Sequence, residues 1–400
     1  MGLRHLHLPY RAPFLYPPYS LASRVQEHLR RQLLDFKDAI SDASTSTSTS
    51  TSTSTSPSGA SANARATSVL RGRPPSPPTL ISFTPLPTYT LGRRQTAPLS
   101  EDEVARLQAP LHVASSPKLS TAAAATTTTI TTSTPCLPVS IVSSPRGGLT
   151  TYHGPGQVVL WPVLDLRSLH HKQFTVRCYS RLLEDTTIAT LGSLFGLAAF
   201  TTADPGVWVR PFSRFHPSSQ PTSVNHGGRG ATAAAAEGGE MREPAKIAAL
   251  GVHLRRHVSA LGTAINVATP GPDVTSEQLN PWARIIACGL EGKAVTSVAA
   301  ELAAATTTAS AGLVGRSSDR QTDGQVGGVG AQPDAERDPL PQEAVTATAW
   351  AEELARRIEV DGVDVVGQRE VMDLLGDLIR HDASVEEQQF VTEMRKALGV

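Results

Sequence analysis

Apolar positions recur at helical spacing in four stretches of the chain and alternate or run on continuously in several shorter ones, with long aperiodic tracts between. Leu21, Val25, Leu29, Leu33 and Leu34 predict an amphipathic helix over 21–38. Thr79–Leu91 alternates apolar and polar residues with prolines interspersed, the pattern of an edge strand, and ends in a turn at Gly92, Arg93 and Arg94. Residues 137–143 read as a strand, Arg146–Gly156 as a glycine-rich loop, and Val158–Leu164 as a continuous apolar strand rich in β-branched residues. Phe174–Leu194 has helical spacing and leads to a strand ending at 206–209. Lys246–Leu254 and Gly262–Val267 read as two antiparallel strands. From Asn280 a short dense segment runs to a turn at Glu291 and Gly292. Ala344–Ile358 and Gln368–Leu398 repeat with period 3.6 against charged faces and predict two or three helices.

The aperiodic tracts change the domain count. Ser44–Ser56 alternates serine and threonine, 121–134 is threonine and alanine, and 210–243 and 303–342 are dominated by small and polar residues. Such tracts bury too little apolar surface to offset the entropy of ordering them. The expected organisation is one folded domain over 1–302 with disordered insertions at about 41–78, 115–135 and 210–243. A disordered linker over 303–342 and a helical C-terminal extension over 343–400 follow. The extension's amphipathic helices could pack on the core, contact a partner, or do neither.

Charge and cysteine usage exclude several functions. The 400 residues carry 36 basic and 36 acidic side chains, so no basic field favours a nucleic acid partner. Cys136, Cys178 and Cys288 are odd in number and lack a C-x-x-C spacing, which points to a reducing compartment with no disulfide framework and no metal site. The uncharged run Thr186–Ala203 is broken by Thr, Ser and Gly and reads as a buried helix entering a strand, so no membrane association is expected. Arg4, Arg11, Arg24, Arg30 and Arg31 face one acid, Glu27, before Asp35. That is the bias of an organellar transit peptide, although the same residues suit an ordinary helix opening the domain.

The candidate chemistry sits in three places. The loop Arg146–Gln157 holds four glycines that let backbone approach a ligand closely, a fixed cation in Arg146, and in His153 a group able to donate, accept or exchange a proton. A tight hairpin would need the glycines but not the Arg, Tyr and His. Cys288 precedes Gly289, whose N–H would stand beside the sulfur, yet a lone Cys at the end of an apolar strand is more often a small core residue. Lys246, at the start of an apolar strand, alone reads as a solvated strand end. Together the two mean more. An ammonium about 4 Å from a thiolate interacts by roughly 4 kcal/mol at an effective dielectric near 20. Even after screening, one or two units below the free thiol's pKa of about 8.5 leaves most of the sulfur anionic just above neutrality.

The stretches RGGLTTYHGPGQVVLWPVLDL (146–166), PGVWV (205–209), KIAALGVHLRRHVSALGTAINV (246–267) and ACGLEGKAVTSV (287–298), in that order, closely resemble the lipoyl(octanoyl) transferases. With LRHLHLPY near the start and YTLGRR at 89–94, the likeness spans about 3–298, and the insertions and long tail resemble those of fungal mitochondrial members. The resemblance implies an α+β fold shared with lipoate–protein and biotin–protein ligases, with a mixed central sheet, a smaller sheet and flanking helices. It implies an acyltransferase acting in the first step of protein lipoylation. The enzyme would take an octanoyl or lipoyl group from acyl carrier protein onto Cys288 as a thioester and pass it to a lysine of a lipoyl domain. The acceptors would be 2-oxoacid dehydrogenase E2 subunits and the glycine cleavage H protein.

By motif match, Lys246 lowers the pKa of Cys288; on chemical grounds the Cys288–Lys246 pair is expected to take the acceptor's proton, with His153 orienting the loop and acyl carbonyl or relaying a proton. Arg146, Gly147, Gly148, Leu149, Thr150, Thr151, Tyr152, His153, Ala249, Leu250, Gly251, Gly262, Thr263 and Ala264 match the acyl-binding positions. No cofactor and no metal are implied, and a mitochondrial monomer is expected. Leu261 and Thr263 stand where many bacterial members carry His and Leu, which leaves chain-length preference unread. Two other readings compete: an ATP-dependent lipoate–protein ligase, which would not need Cys288, and a catalytically silent scaffold on the same fold.

Overall fold

The computed structural model describes residues 1–48, 76–113, 135–214, 243–272, 274–285, 293–313 and 342–400. In chain order the elements are β1 (Leu3–His7), α1 (Tyr19–Ser48), β2 (Thr79–Phe83), β3 (Thr88–Leu91), α2 (Glu101–Gln108), β4 (Leu111–His112), β5 (Cys136–Leu137), β6 (Ser140–Ser143), β7 (Thr151–His153) and β8 (Gln157–Val163). They continue with α3 (Val176–Phe195), β9 (Leu197–Phe200), β10 (Val207–Arg214), β11 (Ala245–Arg255), β12 (Val258–Asn266), a 3-10 turn (Pro281–Arg284), α4 (Val298–Leu313), α5 (Gln342–Arg357), β13 (Val363–Val365), α6 (Gln368–Leu378) and α7 (Val385–Leu398).

Eight strands form a mixed sheet in the order β13-β1-β2-β8-β12-β11-β10-β9, and β6-β3-β7 form a smaller one. The α+β class with a mixed central sheet, a smaller sheet and flanking helices is the one the sequence predicts. The large sheet is covered on both faces, and β8 shows how its sequence meets both. Val158 and Leu160 enter one core with residues of α3 and α5, while Val159, Trp161 and Val163 enter the other with α1, α6 and α7. A strand buried on both faces cannot alternate apolar with polar, which is why it reads as one unbroken apolar run.

Local signals set the helix ends. The Thr175 side chain accepts from the Cys178 amide to open α3, and Gly196, at φ 64°, closes it in the left-handed conformation. Ser384 and Glu387 form a reciprocal capping box at α7.

Several expectations change. Thr79–Leu91 is not one edge strand: a bend at 84–87 divides it into β2, an interior strand between β1 and β8, and β3, the centre of the small sheet. The prolines that suggested an edge lie in that bend and not in a ladder. Helix α1 runs on to Ser48, β10 to Arg214 and α4 to Leu313, so 41–48, 210–214 and 303–313 are regular structure where disorder was expected. The remainder of the insertions and of the linker lies largely outside the described residues. The acid-poor N-terminal segment is built into the fold: Leu3, Leu6, Leu8, Leu21, Ala22 and Val25 are buried completely. Its arginines face carboxylates, Arg4 meeting Glu370, Arg24 meeting Glu387, and Arg30 and Arg31 meeting Glu27.

The C-terminal extension completes the domain. β13 pairs in parallel with β1, Leu3 opposite Val363, and α5 lays Trp350 into the core against α3, where its indole N–H donates to Thr187 Oγ1 at 3.0 Å. Replacing Trp350 with Ala removes a fully buried indole and should destabilise the fold by about 3–5 kcal/mol; an unchanged urea midpoint would overturn the claim that the extension is integral.

His5 and His7 both hydrogen-bond Ser82 Oγ at 2.8 Å. Burial pushes both imidazoles down to about 4, with His7 adding to the effect on His5. In the unfolded chain they return to about 6.5, so between pH 6.5 and 4 the unfolded state binds more protons. Stability should therefore be full above pH 6.5 and fall as pH drops to 4, by up to about 1.4 kcal/mol per pH unit for each histidine. Urea unfolding at pH 7, 6 and 5 tests this; free energies that do not fall, or a His5→Gln/His7→Gln chain that falls as steeply, would refute it.

Candidate active site

The site begins with two glycines. In the β11–β12 hairpin Gly251 lies directly opposite Gly262, so the middle of the sheet carries two adjoining positions with no side chain. At Gly262 a Cβ would stand 2.2 Å from the Leu160 carbonyl oxygen, and at Gly251 it would stand 2.8 Å from Arg146 Cδ. Neither position accepts a larger residue without displacing β8 or the arginine.

The trough is walled into a half-open cavity. Of the sequence-predicted positions, Arg146, Thr151, His153, Ala249, Leu250, Gly251, Gly262, Thr263 and Ala264 line it together. Tyr19, Trp161 and Leu261 complete it, and sequence reasoning did not single out the first two as lining. Trp161 belongs to a uniformly apolar strand whose faces cannot be distinguished without a fold, and Tyr19 precedes the first residue of the helical pattern. Leu261 is buried and holds φ at 62°, a left-handed conformation that is costly for a leucine.

The remaining predicted positions lie apart from the cavity wall. Gly147, Gly148, Leu149 and Thr150 form the connection leading into β7. The Tyr152 ring packs between Tyr89 and Trp282 in the core of the small sheet. Cys288 and Gly289 lie in 286–292, outside the described residues.

Arg146 joins the two sheets. Its guanidinium donates to the Thr90 carbonyl at 2.6 Å, to Thr90 Oγ1 at 2.8 Å and to the Gly147 carbonyl at 2.9 Å, and its stem lies against Gly251. These bonds hold the planar cation in one orientation at the cavity wall.

His153 is buried, stacked on Tyr19 with ring centroids 5.4 Å apart, and its Nδ1 lies 2.8 Å from Gln157 Oε1. Burial holds the imidazole down to about 4, opposed by the Gln157 bond and reinforced by Arg146. Behind it a polar chain continues inward. Gln157 donates to Asn266 Oδ1 at 2.9 Å, Asn266 donates to the Thr296 carbonyl at 3.0 Å, and Thr296 Oγ1 donates to Glu301 at 2.6 Å.

Lys246 is buried, not a solvated strand end. The β10–β11 register slips between Val207 opposite Ala248 and Trp208 opposite Lys246, so two residues of β11 span one of β10. This bulge lets Ile247 and Ala248 both enter the core beneath the sheet and turns Lys246 to the face that carries Trp208. Its ammonium sits 4.8 Å from the Trp208 ring centroid and donates to the Pro205 carbonyl at 3.0 Å. The backbone of Lys246 bonds to Ala294 and Thr296, which lie just after the segment bearing Cys288. Beside it Lys293 pairs with Asp204 and keeps that carboxyl below its ordinary range. The PGVWV motif and the final residues, 294–298, of the ACGLEGKAVTSV motif thus meet at Lys246, although they lie far apart in sequence.

Comparison with known proteins shows the family to which the chain is similar. Residues 125–311 match the family described as the lipoyl protein ligase A/B catalytic domain. A probable octanoyltransferase of Schizosaccharomyces pombe is 31% identical over 224 residues, covering 56% of this chain and 68% of the relative. A mitochondrial octanoyltransferase of Saccharomyces cerevisiae is 26% identical over 309 residues, 74% of each chain. A mitochondrial octanoyl-[acyl-carrier-protein]:protein N-octanoyltransferase of Danio rerio is 30% identical over 226 residues, covering 56% of this chain and 68% of that one. Among solved structures, a putative lipoate protein ligase from T. acidophilum aligns with a TM-score of 0.37 at 12% identity, covering 99% of this chain and 95% of that one. Because it is 31% identical over 224 residues to a relative that it spans over more than two thirds, the chain belongs to the octanoyltransferase family of acyltransferases.

Proposed function

We propose that this octanoyltransferase takes an octanoyl group from acyl carrier protein onto Cys288 and delivers it to the acceptor lysine of a lipoyl-domain protein in mitochondria. The observation that carries this reading is the cavity: the glycine trough, lined also by Trp161 and Leu261, offers a mostly apolar slot for an alkyl chain, and Arg146 and His153 supply polar groups in its wall.

The chemistry follows from the sulfur. In the first step the Cys288 thiolate attacks the donor thioester and the pantetheine thiolate leaves, an exchange of one thioester for another that is nearly isoenergetic. In the second, the acceptor amine attacks the acyl-enzyme and an amide forms, which is downhill. Neither step calls for ATP or a cofactor. Lys246, held by Pro205 and Trp208, is the cation that favours the thiolate, and a buried ammonium does so more strongly than a solvated one. Names of the relatives from S. cerevisiae and D. rerio support the mitochondrial location, and the latter name supports the acyl carrier protein donor.

Intact-protein mass spectrometry after incubation with octanoyl-acyl carrier protein should find an octanoyl adduct on the Cys288 peptide that moves to an apo lipoyl domain without ATP. In Cys288→Ala the adduct should disappear. Transfer that appears only with ATP and free acid would move the chain to the ligase class, and no transfer under either condition would favour a silent scaffold.

Gly251→Val should place its side chain against Arg146 and in the trough. Acylation should slow at least about tenfold, a loss near 1.4 kcal/mol of transition-state stabilisation, while the far-UV circular dichroism stays as it was. Acylation at the parental rate would show that the alkyl chain lies elsewhere.

A further inference from the structure

We propose that Gln157 and Asn266 are positioning residues that lock His153 in its Nδ1–H tautomer, so that Nε2 meets the cavity as a hydrogen-bond acceptor for an N–H of the attacking lysine amine. The proposal rests on the transferase reading for the identity of that amine. The tautomer itself does not.

The direction of every bond in the chain is fixed from its two backbone ends. A carbonyl oxygen can only accept, so the Asn266 group 3.0 Å from the Thr296 carbonyl is its NH₂, and Asn266 Oδ1 must face Gln157. An oxygen there requires the Gln157 NH₂, which also reaches the Tyr152 carbonyl at 3.3 Å. The other end of the same amide, Oε1, is therefore the atom that faces His153 Nδ1 at 2.8 Å. An oxygen facing a ring nitrogen in a buried site demands a proton on that nitrogen. The imidazole is neutral near pH 7, because burial and the Arg146 cation both oppose a second proton. Its single proton is thus on Nδ1, and Nε2, on the opposite edge of the ring, carries a lone pair.

This arrangement selects what His153 can do. The expected role of orienting the acyl carbonyl requires an N–H at Nε2, and this tautomer has none. The octanoyl chain itself offers no donor, and in the proposed role the partner of Nε2 is the amine of the second substrate. An amine N–H held there keeps the nitrogen lone pair free for the acyl carbon. The C–N bond forms, the C–S bond breaks, and one amine proton ends on the departing Cys288 sulfur as a thiol. The first half-reaction, thioester exchange, makes no use of Nε2.

The test combines a spectroscopic and a kinetic measurement on the full chain. Long-range ¹H–¹⁵N correlation of the ¹⁵N-histidine protein, with His153 assigned by the signal lost in His153→Gln, should show a protonated Nδ1 and an unprotonated Nε2. A protonated Nε2 in the parent protein would overturn the proposal, and this measurement needs no destabilising variant. In Gln157→Leu, formation of the octanoyl-enzyme from octanoyl-acyl carrier protein should keep its parental rate. Transfer to the apo lipoyl domain should fall by about 100-fold, the scale of a misplaced reacting group. Equal slowing of both half-reactions in Gln157→Leu would mean that the residue only supports the fold, and would sink the proposed role. If the parent protein transfers no octanoyl group at all, the functional reading fails, and the NMR result still decides the tautomer.

Discussion

The candidate active site depends on an absence: two glycines that face each other across β11 and β12. Because neither projects a side chain, β12 approaches β8 closely at Leu160, and the Arg146 stem lies flat on β11. The arginine then reaches Thr90 and ties the small sheet to the large one. The trough, the cation beside it and the mutual placement of the two sheets follow from the same missing atoms. A buried guanidinium is costly unless its donors are satisfied, and here carbonyls and a hydroxyl of β3 and the adjoining loop receive them.

Around that trough the two ends of the site are set by different means. At one end a register slip in β11 sends Ile247 and Ala248 into the core and turns Lys246 towards Trp208 and Pro205. At the other, His153 is held by a line of amides that reaches Thr296, whose own N–H bonds back to the Lys246 carbonyl. The lysine and the histidine are therefore mechanically connected through the residues that follow the Cys288 segment. Leu261, strained at positive φ, sits where the hairpin turns into the trough and shows that the local backbone is dictated by its surroundings and not by its own preference.

Much of this was legible in the residues. The unbroken apolar run of β8, the period of α1, α3 and α5, and the paired β11 and β12 all carry their own signals, and the loop 146–156 announces itself by its glycines. What stayed hidden has a common cause. The burial of Lys246 follows from a bulge, and a bulge leaves no periodicity to read. The split of 79–91 between two sheets depends on which strands it meets, and the same prolines suit an edge or a bend. Gln157, at the end of the glycine-rich loop, and Asn266, inside an apolar strand, carry no signal of their own, because a buried amide chain is visible only when its members, more than a hundred residues apart, are brought together. Helix α4 begins in the likeness to the transferases and ends in an alanine- and threonine-rich stretch that composition alone assigns to a linker.

The pairing of β1 with β13 gives the molecule a particular history. β1 is made first and occupies an interior position of the sheet, yet one of its neighbours is separated from it by almost the whole chain. At roughly 5–20 residues per second of synthesis, Leu3 waits on the order of 20 to 70 seconds for Val363. Throughout that time one side of β1 is an unsatisfied ladder of amides, the kind of edge that pairs with whatever strand it meets. Because α5 and Trp350 also arrive late, the core beneath the sheet stays open as long as the edge does. Loop-closure entropy rises only logarithmically with the intervening length, so the long inserted tracts add little to the free-energy cost of this closure. What they lengthen is the interval in which a nascent chain is vulnerable to aggregation and dependent on chaperones.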